Sequence, residues 1–511
     1  MNINILLLIL IPLSTAFLIP LIDLIQIKLR RFLVFIASSL ELFFSVMIIL
    51  SNYSLLKDGE FFLKYNLGGW SPPFGIILAM DSLSLFFSTL ISLALFLIII
   101  YSIGFIGYHE GKYYVLLFLV LGSMQGAIIT GDIFNLYVFI ELLTVSSAPL
   151  VAFKRSLFGT EAAIKYMFYG IVGGLFFFIG VILLYFNLGT LNMAEISANF
   201  TNISLNMQIV IMIFFLISLL IKLAIFPFHF WLPKAHSACP SSISALLSGV
   251  LMKIYIYIFI RIFWIVLDFS VFEGLGLAQF IIYLALFSSL IGHILALQAD
   301  DIKRMLAYST IGHIGMIVGV ISLNTAAGFY GGLLHVISHL FMKTSLFTES
   351  GYLLQYTKSH RIEDFAGSGY KNQGVFISFI ISSLGMIGIP PLIGFISKWY
   401  ILLAFLEVDN HFGAILVILG SLTAIVYYMR YISHGYKTMK IDENLAEKDF
   451  FKKPILSVFY REDLVTSVIY ILTAAIIISG VVFKIFEIPI NASIQEIMNP
   501  ENYIDLVLGG K

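Results

Sequence analysis

QIVIMIFFLISLLIKLAIFPFHFW, residues 208–231, contains one formally charged side chain, Lys222, and a proline, Pro227, five positions after it. A helix crossing a bilayer needs about 20 apolar residues, and this stretch supplies them. A lysine at that depth is costly in hydrocarbon, and a proline interrupts backbone pairing, so the segment is tolerable only beside other protein or water. The same balance holds over the whole chain. Of 511 residues, 60% are hydrophobic and 11% charged, which leaves too little polar surface to cover a soluble molecule; lipid is the solvent. Net charge is zero, which offers no basic face to nucleic acid. The single cysteine, Cys239, excludes disulfides, cysteine-ligated iron–sulfur clusters and covalent haem. No cofactor or metal is expected, and any redox chemistry that drives the protein takes place elsewhere.

Apolar runs of spanning length predict an all-α polytopic membrane protein of fourteen transmembrane helices, at 3–22, 32–52, 79–106, 113–130, 133–153, 162–186, 208–231, 241–267, 277–298, 305–323, 328–355, 374–405, 412–433 and 464–486. The first reads as a retained helix, because no small-residue cleavage site precedes Lys28, Arg30 and Arg31. Positive charges stay cytoplasmic. With the N-terminus outside, the inner loops hold Lys28, Arg30, Arg31, Lys154, Arg155, Lys165, Lys303, Arg304, Lys358, Arg361, Lys371 and most of 430–463, against little beyond Lys57 and Lys64 outside. The chain is therefore expected as a multi-pass protein of the cell (cytoplasmic) membrane with both termini on the outer face. The stretch Lys437–Arg461 alternates charged and apolar residues and reads as a surface helix.

Lys222 before Pro227, and Lys398 after Gly388, Pro390 and Pro391, place an interrupted helix in each half of the chain. Spans four to eight and nine to thirteen number five each, and an odd number reverses orientation, so two inverted repeats with broken helices seven and twelve are expected. Residues 1–511 then form a single transmembrane domain: N-terminal helices at 1–106, repeats at 113–267 and 277–433, and a segment 434–511 with the amphipathic stretch and last helix.

Five ionisable residues lie deep within spans: Glu141, Lys222, Lys253, Lys343 and Lys398. Glu141 is about eight residues, or roughly 12 Å, into its helix. Together they oppose insertion by on the order of 15 kcal/mol, so they must face each other or water. Lys343 and Lys398 have a plainer reading as snorkelling side chains, and Glu141 as one half of a structural ion pair. Such a pair is still poised for function, because separating its charges changes the proton affinity of both. His335, His339 and Lys343, at i, i+4 and i+8, share one helix face, and histidine passes protons near neutral pH. HxxxH also suits zinc, but position 336 is Val336 where a metalloprotease needs glutamate, and no third ligand stands out. His293 and His313 read as core histidines. His229 and His236 flank the proline break and line an entrance or serve packing.

Five stretches resemble one family. GDIFNLYVFIELL (131–143) is similar to a segment of D-type Mrp antiporter subunits and puts that family's helix-five glutamate on Glu141. FPFHFWLPKAHSACPSSISALLSGVLMK (226–253) resembles the proton-conducting membrane transporter motif, with its final lysine on Lys253 and the lysine preceding the motif on Lys222. DDIKRMLAYSTIGHIG, LLHVISHLFMKTSLF and GIPPLIGFISKWY match the later helices, the last placing the terminal carrier on Lys398. The resemblance covers residues 80–400 and nearly the whole chain. It extends to Mrp antiporter subunits and to the antiporter-like subunits of complex I, membrane-bound hydrogenases and related sulfur reductases. It implies a proton-translocating subunit of a multisubunit membrane complex, with a hydrated mid-membrane relay of Glu141, Lys222, Lys253, His335, His339, Lys343 and Lys398. The alternative is a subunit of a stand-alone Mrp-type sodium/proton antiporter rather than of a redox-driven assembly. A remote rival, a multispan enzyme acting on lipid-linked substrates, would need an acidic cluster at an aqueous face. Expected partners are other membrane subunits, protons and, for the antiporter, sodium. Two departures stand out: Lys234 replaces the usual acid in WLPDAH, and Glu349, in FTES, replaces small residues after Lys343.

Overall fold

Without water to pair its amides, an apolar backbone must satisfy them internally, and the apolar runs are accordingly helices. The computed structural model describes residues 5–24, 26–70, 72, 74–107, 109–437 and 462–509. Its principal helices are α1 (Leu7–Asp23), α2 (Ile27–Ser51), α3 (Ser82–Phe105), α4 (Glu110–Ile129), α5 (Ile133–Val151), α6 (Leu157–Leu188), α7 (Leu205–Lys222), α8 (Trp231–Ala238), α9 (Ser241–Val266), α10 (Leu277–Gln298), α11 (Ile302–Ile321), α12 (Ala326–Thr357), α13 (Gln373–Ile387), α14 (Ile393–Glu407), α15 (His411–Gly435), α16 (Glu462–Val481), α17 (Glu487–Met498) and α18 (Pro500–Leu508). Polar residues at the loop ends start several of them: the Asp132 carboxylate accepts from Asn135 N at 2.7 Å, and Asp301 from Arg304 N at 2.9 Å.

Eleven helices among the described residues are long and apolar enough to cross a membrane. The difference from the expected fourteen has physical causes. Helix α1 has 17 residues, α12 is long but loses apolar character to His335, His339, Lys343 and Glu349, and the expected span 374–405 is two helices, α13 and α14, parted at Gly388–Leu392. Helix α9 is buried over its whole length, and α11 and α12 nearly so, whereas α6 turns Phe168, Leu175 and Phe186 outward. Helices α9, α11 and α12 thus form the middle of the protein, and the lipid-facing helices surround them.

Two features depart from the all-α expectation and from the expected end of the last helix. Residues 62–81 form an antiparallel hairpin, β1 (Phe62–Asn66) with β2 (Ile77–Asp81), in register Phe62↔Asp81 to Asn66↔Ile77. Gly68 and Gly69, at φ 66° and 79°, allow the chain to turn away from β1. Beyond α16, α17 and α18 pack back against the start of α3. There Glu496 Oε1 and Oε2 accept the otherwise free N–H groups of Ser82 and Leu83, at 2.8 and 3.1 Å. Beside them Arg261 holds Asp81 through two hydrogen bonds of 2.5 and 2.7 Å, with both side chains buried. From residue 438 on, the expected surface helix at 437–461 lies outside the described residues.

Candidate functional site

Lys222 is the last residue of α7, and its ammonium finds three oxygens: Glu141 Oε1 at 3.5 Å, Thr144 Oγ1 at 3.2 Å and Gly170 O at 3.0 Å. The Lys222 side chain is 2% exposed and that of Glu141 24%. A membrane interior makes unpaired charge expensive, and the two charges pair across 81 positions of sequence. Glycine makes the approach possible, since a Cβ on Gly174 of α6 would collide with the Glu141 carboxylate. The helix interruption expected at Lys222 is present. Helix α7 ends there, Trp231 Nε1 donates to the freed Ile221 carbonyl at 3.1 Å, and the chain resumes as α8 after Pro227.

Lys222 also faces the Tyr255 ring, 5.9 Å from its centroid, and Tyr255 stands two residues from Lys253 on α9. The turn before Lys253, Leu246–Leu251, is π-helical, a widening that leaves carbonyls available to side chains. Lys253 Nζ donates to one of them, Ser248 O, at 2.8 Å, and to His339 Nδ1 at 2.5 Å. Lys343 turns from α12 to α11 and donates to Leu306 O at 2.9 Å. Neither lysine meets a carboxylate among the described residues.

The face shared by His335, His339 and Lys343 fans out. His335 Nε2 and His313 Nδ1 share a hydrogen bond of 3.0 Å, and His335 Nδ1 lies 2.9 Å from Ser397 Oγ. The His313 ring is 5.1 Å from that of His293 and 5.5 Å from that of His339. Four imidazoles from α10, α11 and α12 therefore form one buried cluster, between Lys253 at one end and Ser397 and Lys398 at the other. Lys343 lies two turns beyond His335 on α12, and its ammonium goes to the α11 backbone. Among the described residues, no three of His, Cys, Asp and Glu converge as metal ligands.

Lys398 Nζ donates to Met386 O at 2.7 Å and Ile387 O at 3.0 Å, the last carbonyls of α13. The break at Gly388–Leu392 frees these groups, and the negative end of a helix dipole favours a cation there. Gly388 has φ 95°, a conformation costly for any residue with a Cβ, and a Cβ there would lie 3.1 Å from Lys398 Cδ.

His293 and His313, read from the sequence as core histidines, are buried and lie in this cluster. A usable signal was present in the two Gly-His pairs, 292–293 and 312–313. A Cβ built on Gly292 would lie 2.6 Å from Gly312 N, and one on Gly312 2.7 Å from His293 Nε2, so these glycines are what bring α10 and α11 together. The buried acids Glu41, at Gln125, and Asp81 escaped notice. Among the flanking residues, His236 is buried and stacks on Phe347 at 4.7 Å, and His229 is buried next to Phe230. Lys234 remains at the surface, 3.5 Å from Glu161 Oε1.

Residues 130–423, which carry this whole file, match the family model described as NADH:quinone oxidoreductase/Mrp antiporter, TM. The chain is 34% identical over 381 residues to NADH-quinone oxidoreductase subunit N of Desulforudis audaxviator, covering 73% of this chain and 75% of that one. To the D-type Na(+)/H(+) antiporter subunit of Bacillus subtilis it is 28% identical over 451 residues, 87% and 88% of the two chains. Among solved structures, a chain of the membrane-bound sulfane sulfur reductase, an archaeal respiratory membrane complex, superposes with a TM-score of 0.88 at 28% identity over 98% of this chain and 99% of that chain. With the fold, the buried ionisable file and these likenesses in agreement, the chain belongs to the NADH:quinone oxidoreductase/Mrp antiporter transmembrane family, whose members are antiporter-like subunits of membrane complexes.

Proposed function

We propose that the chain translocates protons within a multisubunit membrane assembly, along Glu141, Lys222, Lys253, His339, His335 and Lys398, with His313 and His293 in the middle of the file and Lys343 beside it. One observation carries this reading. Ionisable groups follow one another from the partly exposed Glu141 to the buried Lys398: Glu141 pairs with Lys222, Lys222 faces Tyr255 two residues from Lys253, Lys253 meets His339, and ring contacts or hydrogen bonds join His339, His313, His335 and Ser397, the neighbour of Lys398 in sequence. Among the described residues, only the first lysine has a carboxylate partner. The others rest on carbonyls or imidazole, which hold an ammonium less firmly than a counter-ion does and leave its proton free to move. A proton arriving beside one lysine repels the next, and breaking the Glu141–Lys222 pair passes that charge shift on.

Fourteen spans in two inverted repeats are supported by the helix layout. The eleven long apolar helices, α1, α12 and the α13–α14 pair together make fourteen segments, and the α7–α8 and α13–α14 breaks each adjoin a buried lysine. The placing of lysine and arginine supports both termini outside. Likeness to the NADH-quinone oxidoreductase chain and to the sulfane sulfur reductase favours a redox-driven parent complex, whereas the longer match to the D-type antiporter chain favours a sodium/proton antiporter. Copurification of iron–sulfur with nickel or flavin subunits separates the two.

The relay is tested at Lys398, comparing Lys398→Arg with Lys398→Ala in the reconstituted complex, with dye-reported proton uptake read against assembly on native gels. Arginine keeps the charge but does not release its proton. A carrier at this position requires both variants to lose transport while remaining assembled. Full transport in Lys398→Arg would reduce Lys398 to a fixed charge and end the relay elsewhere.

A further inference from the structure

Helix α12 carries one acid, and this file does not use it. Glu349, six residues beyond Lys343, is fully buried. Its Oε1 accepts hydrogen bonds from Ser345 Oγ at 2.8 Å and, from α13, Ser382 Oγ at 3.0 Å. Its Oε2 has no partner, and neither oxygen pairs with a basic side chain among the described residues. A bare carboxylate is expensive there, whereas a carboxylic acid with one oxygen accepting and the other bearing hydrogen is not. The surroundings suit a group that takes up a proton.

Hydroxyl groups lead away from it in two directions. Tyr428 and Tyr431 of α15 lie within electrostatic reach of Glu349. Tyr428 Oη is 3.2 Å from Ser309 Oγ, Tyr427 Oη donates to that same oxygen at 2.9 Å, and Tyr427 Oη lies 3.1 Å from His293 Nδ1. That line ends in the histidine cluster. Toward the end of α12, Tyr352 and Tyr356 follow at i+3 and i+7, on the face that carries Glu349. Their hydroxyls donate to Glu462 Oε1 at 2.5 and 2.8 Å, and Glu462 is an exposed residue at the start of α16.

We propose that Glu349 is a proton-carrying site on a second branch into the histidine cluster, running from Glu462 through Tyr356 and Tyr352 to Glu349, and on through Tyr428, Ser309 and Tyr427 to His293. It rests on the reading of the histidines as a proton relay. A proton reaching the Glu349 carboxylate forms the neutral acid, and its departure restores the carboxylate. Each hydroxyl releases one proton as it accepts another, and the last transfer turns an imidazole into an imidazolium, with no electron moved. The intervals from Tyr352 to Glu349 and from Glu349 to Tyr428 are assigned to water.

The test uses the reconstituted complex and compares dye-reported proton transport in E349Q, Y427F and K253A, with assembly read on native gels. An assembled E349Q complex slowed at least about tenfold, with Y427F also slowed, supports the branch, since a positioned proton carrier contributes about that much or more. E349Q and Y427F at the wild-type rate beside an inactive K253A overturn the branch and leave the main relay standing. A wild-type rate in K253A overturns the relay reading itself, and the branch with it. Should E349Q fail to assemble, infrared difference spectra of the wild type and E349D decide. A protonated-carboxyl band that shifts in E349D supports the site, and its absence overturns it.

Discussion

Glu141→Gln, made singly and combined with Lys222→Gln, isolates the contact at the head of the file. Two unit charges 3.5 Å apart attract by about 5 kcal/mol at an effective dielectric of about 20. Part of this returns when the pair is broken, because Lys222 keeps Thr144 Oγ1 and Gly170 O and the Glu141 side chain is about a quarter exposed. A net coupling of about 2–3 kcal/mol is expected between the two sites. Each single substitution strands one charge, whereas the double substitution removes both. The melting midpoint of the detergent-purified complex should therefore fall in both singles and recover toward wild type in the double. Proton uptake in proteoliposomes should be lost in all three, since neither glutamine titrates. Stability effects that simply add, to within about 0.5 kcal/mol, together with wild-type uptake in Glu141→Gln, would refute the reasoning and make the contact incidental.

Gly174→Ala leaves both charges in place but sets a methyl group against the Glu141 carboxylate, so transport should fall about as far as in Glu141→Gln with assembly intact on native gels. Arg261→Met strands the buried Asp81 carboxylate at the junction of α3, α9 and the C-terminal helices and should cost about 3–5 kcal/mol, read as a lowered melting midpoint. Arg261→Lys should recover only part of it, because an ammonium cannot make the paired contact. At Asp301, burial pushes the carboxyl up, but hydrogen bonds from His360 and Arg304 N and the nearby positive charges hold it below its ordinary value. Its stabilising contribution is therefore present above the unfolded value of about 3.9 and is lost as pH falls through the lower folded value. Asp301→Ala should cost about 1 kcal/mol at neutral pH, and melting curves of variant and wild type should converge in acid.

Transfer energy is local, and that is why so much was legible along the chain. An apolar run of spanning length must be helical wherever it lies in the bilayer, so residues 208–231 and their counterparts could be placed without knowing their neighbours. Pro227 and Gly388–Pro391 break hydrogen bonding within their own segments; α7 ends at Lys222, five residues before Pro227, and α13 ends at Ile387, next to Gly388. Glu141, Lys222, Lys253, Lys343 and Lys398 stand out because each is costly on its own. What each one meets depends on how distant helices cross, which no local pattern encodes. Only the tertiary structure set Lys398 on the carbonyls of α13, turned Lys343 aside to Leu306, and joined Lys253 to His339. It also brought His293 and His313 against the other imidazoles, through glycines whose value lies in the helix they let approach. The hairpin and the C-terminal helices have the same origin. Their polar groups are satisfied across the molecule, as Glu496 is at the start of α3 more than 400 residues earlier, and periodicity within a segment holds no record of a partner so far away.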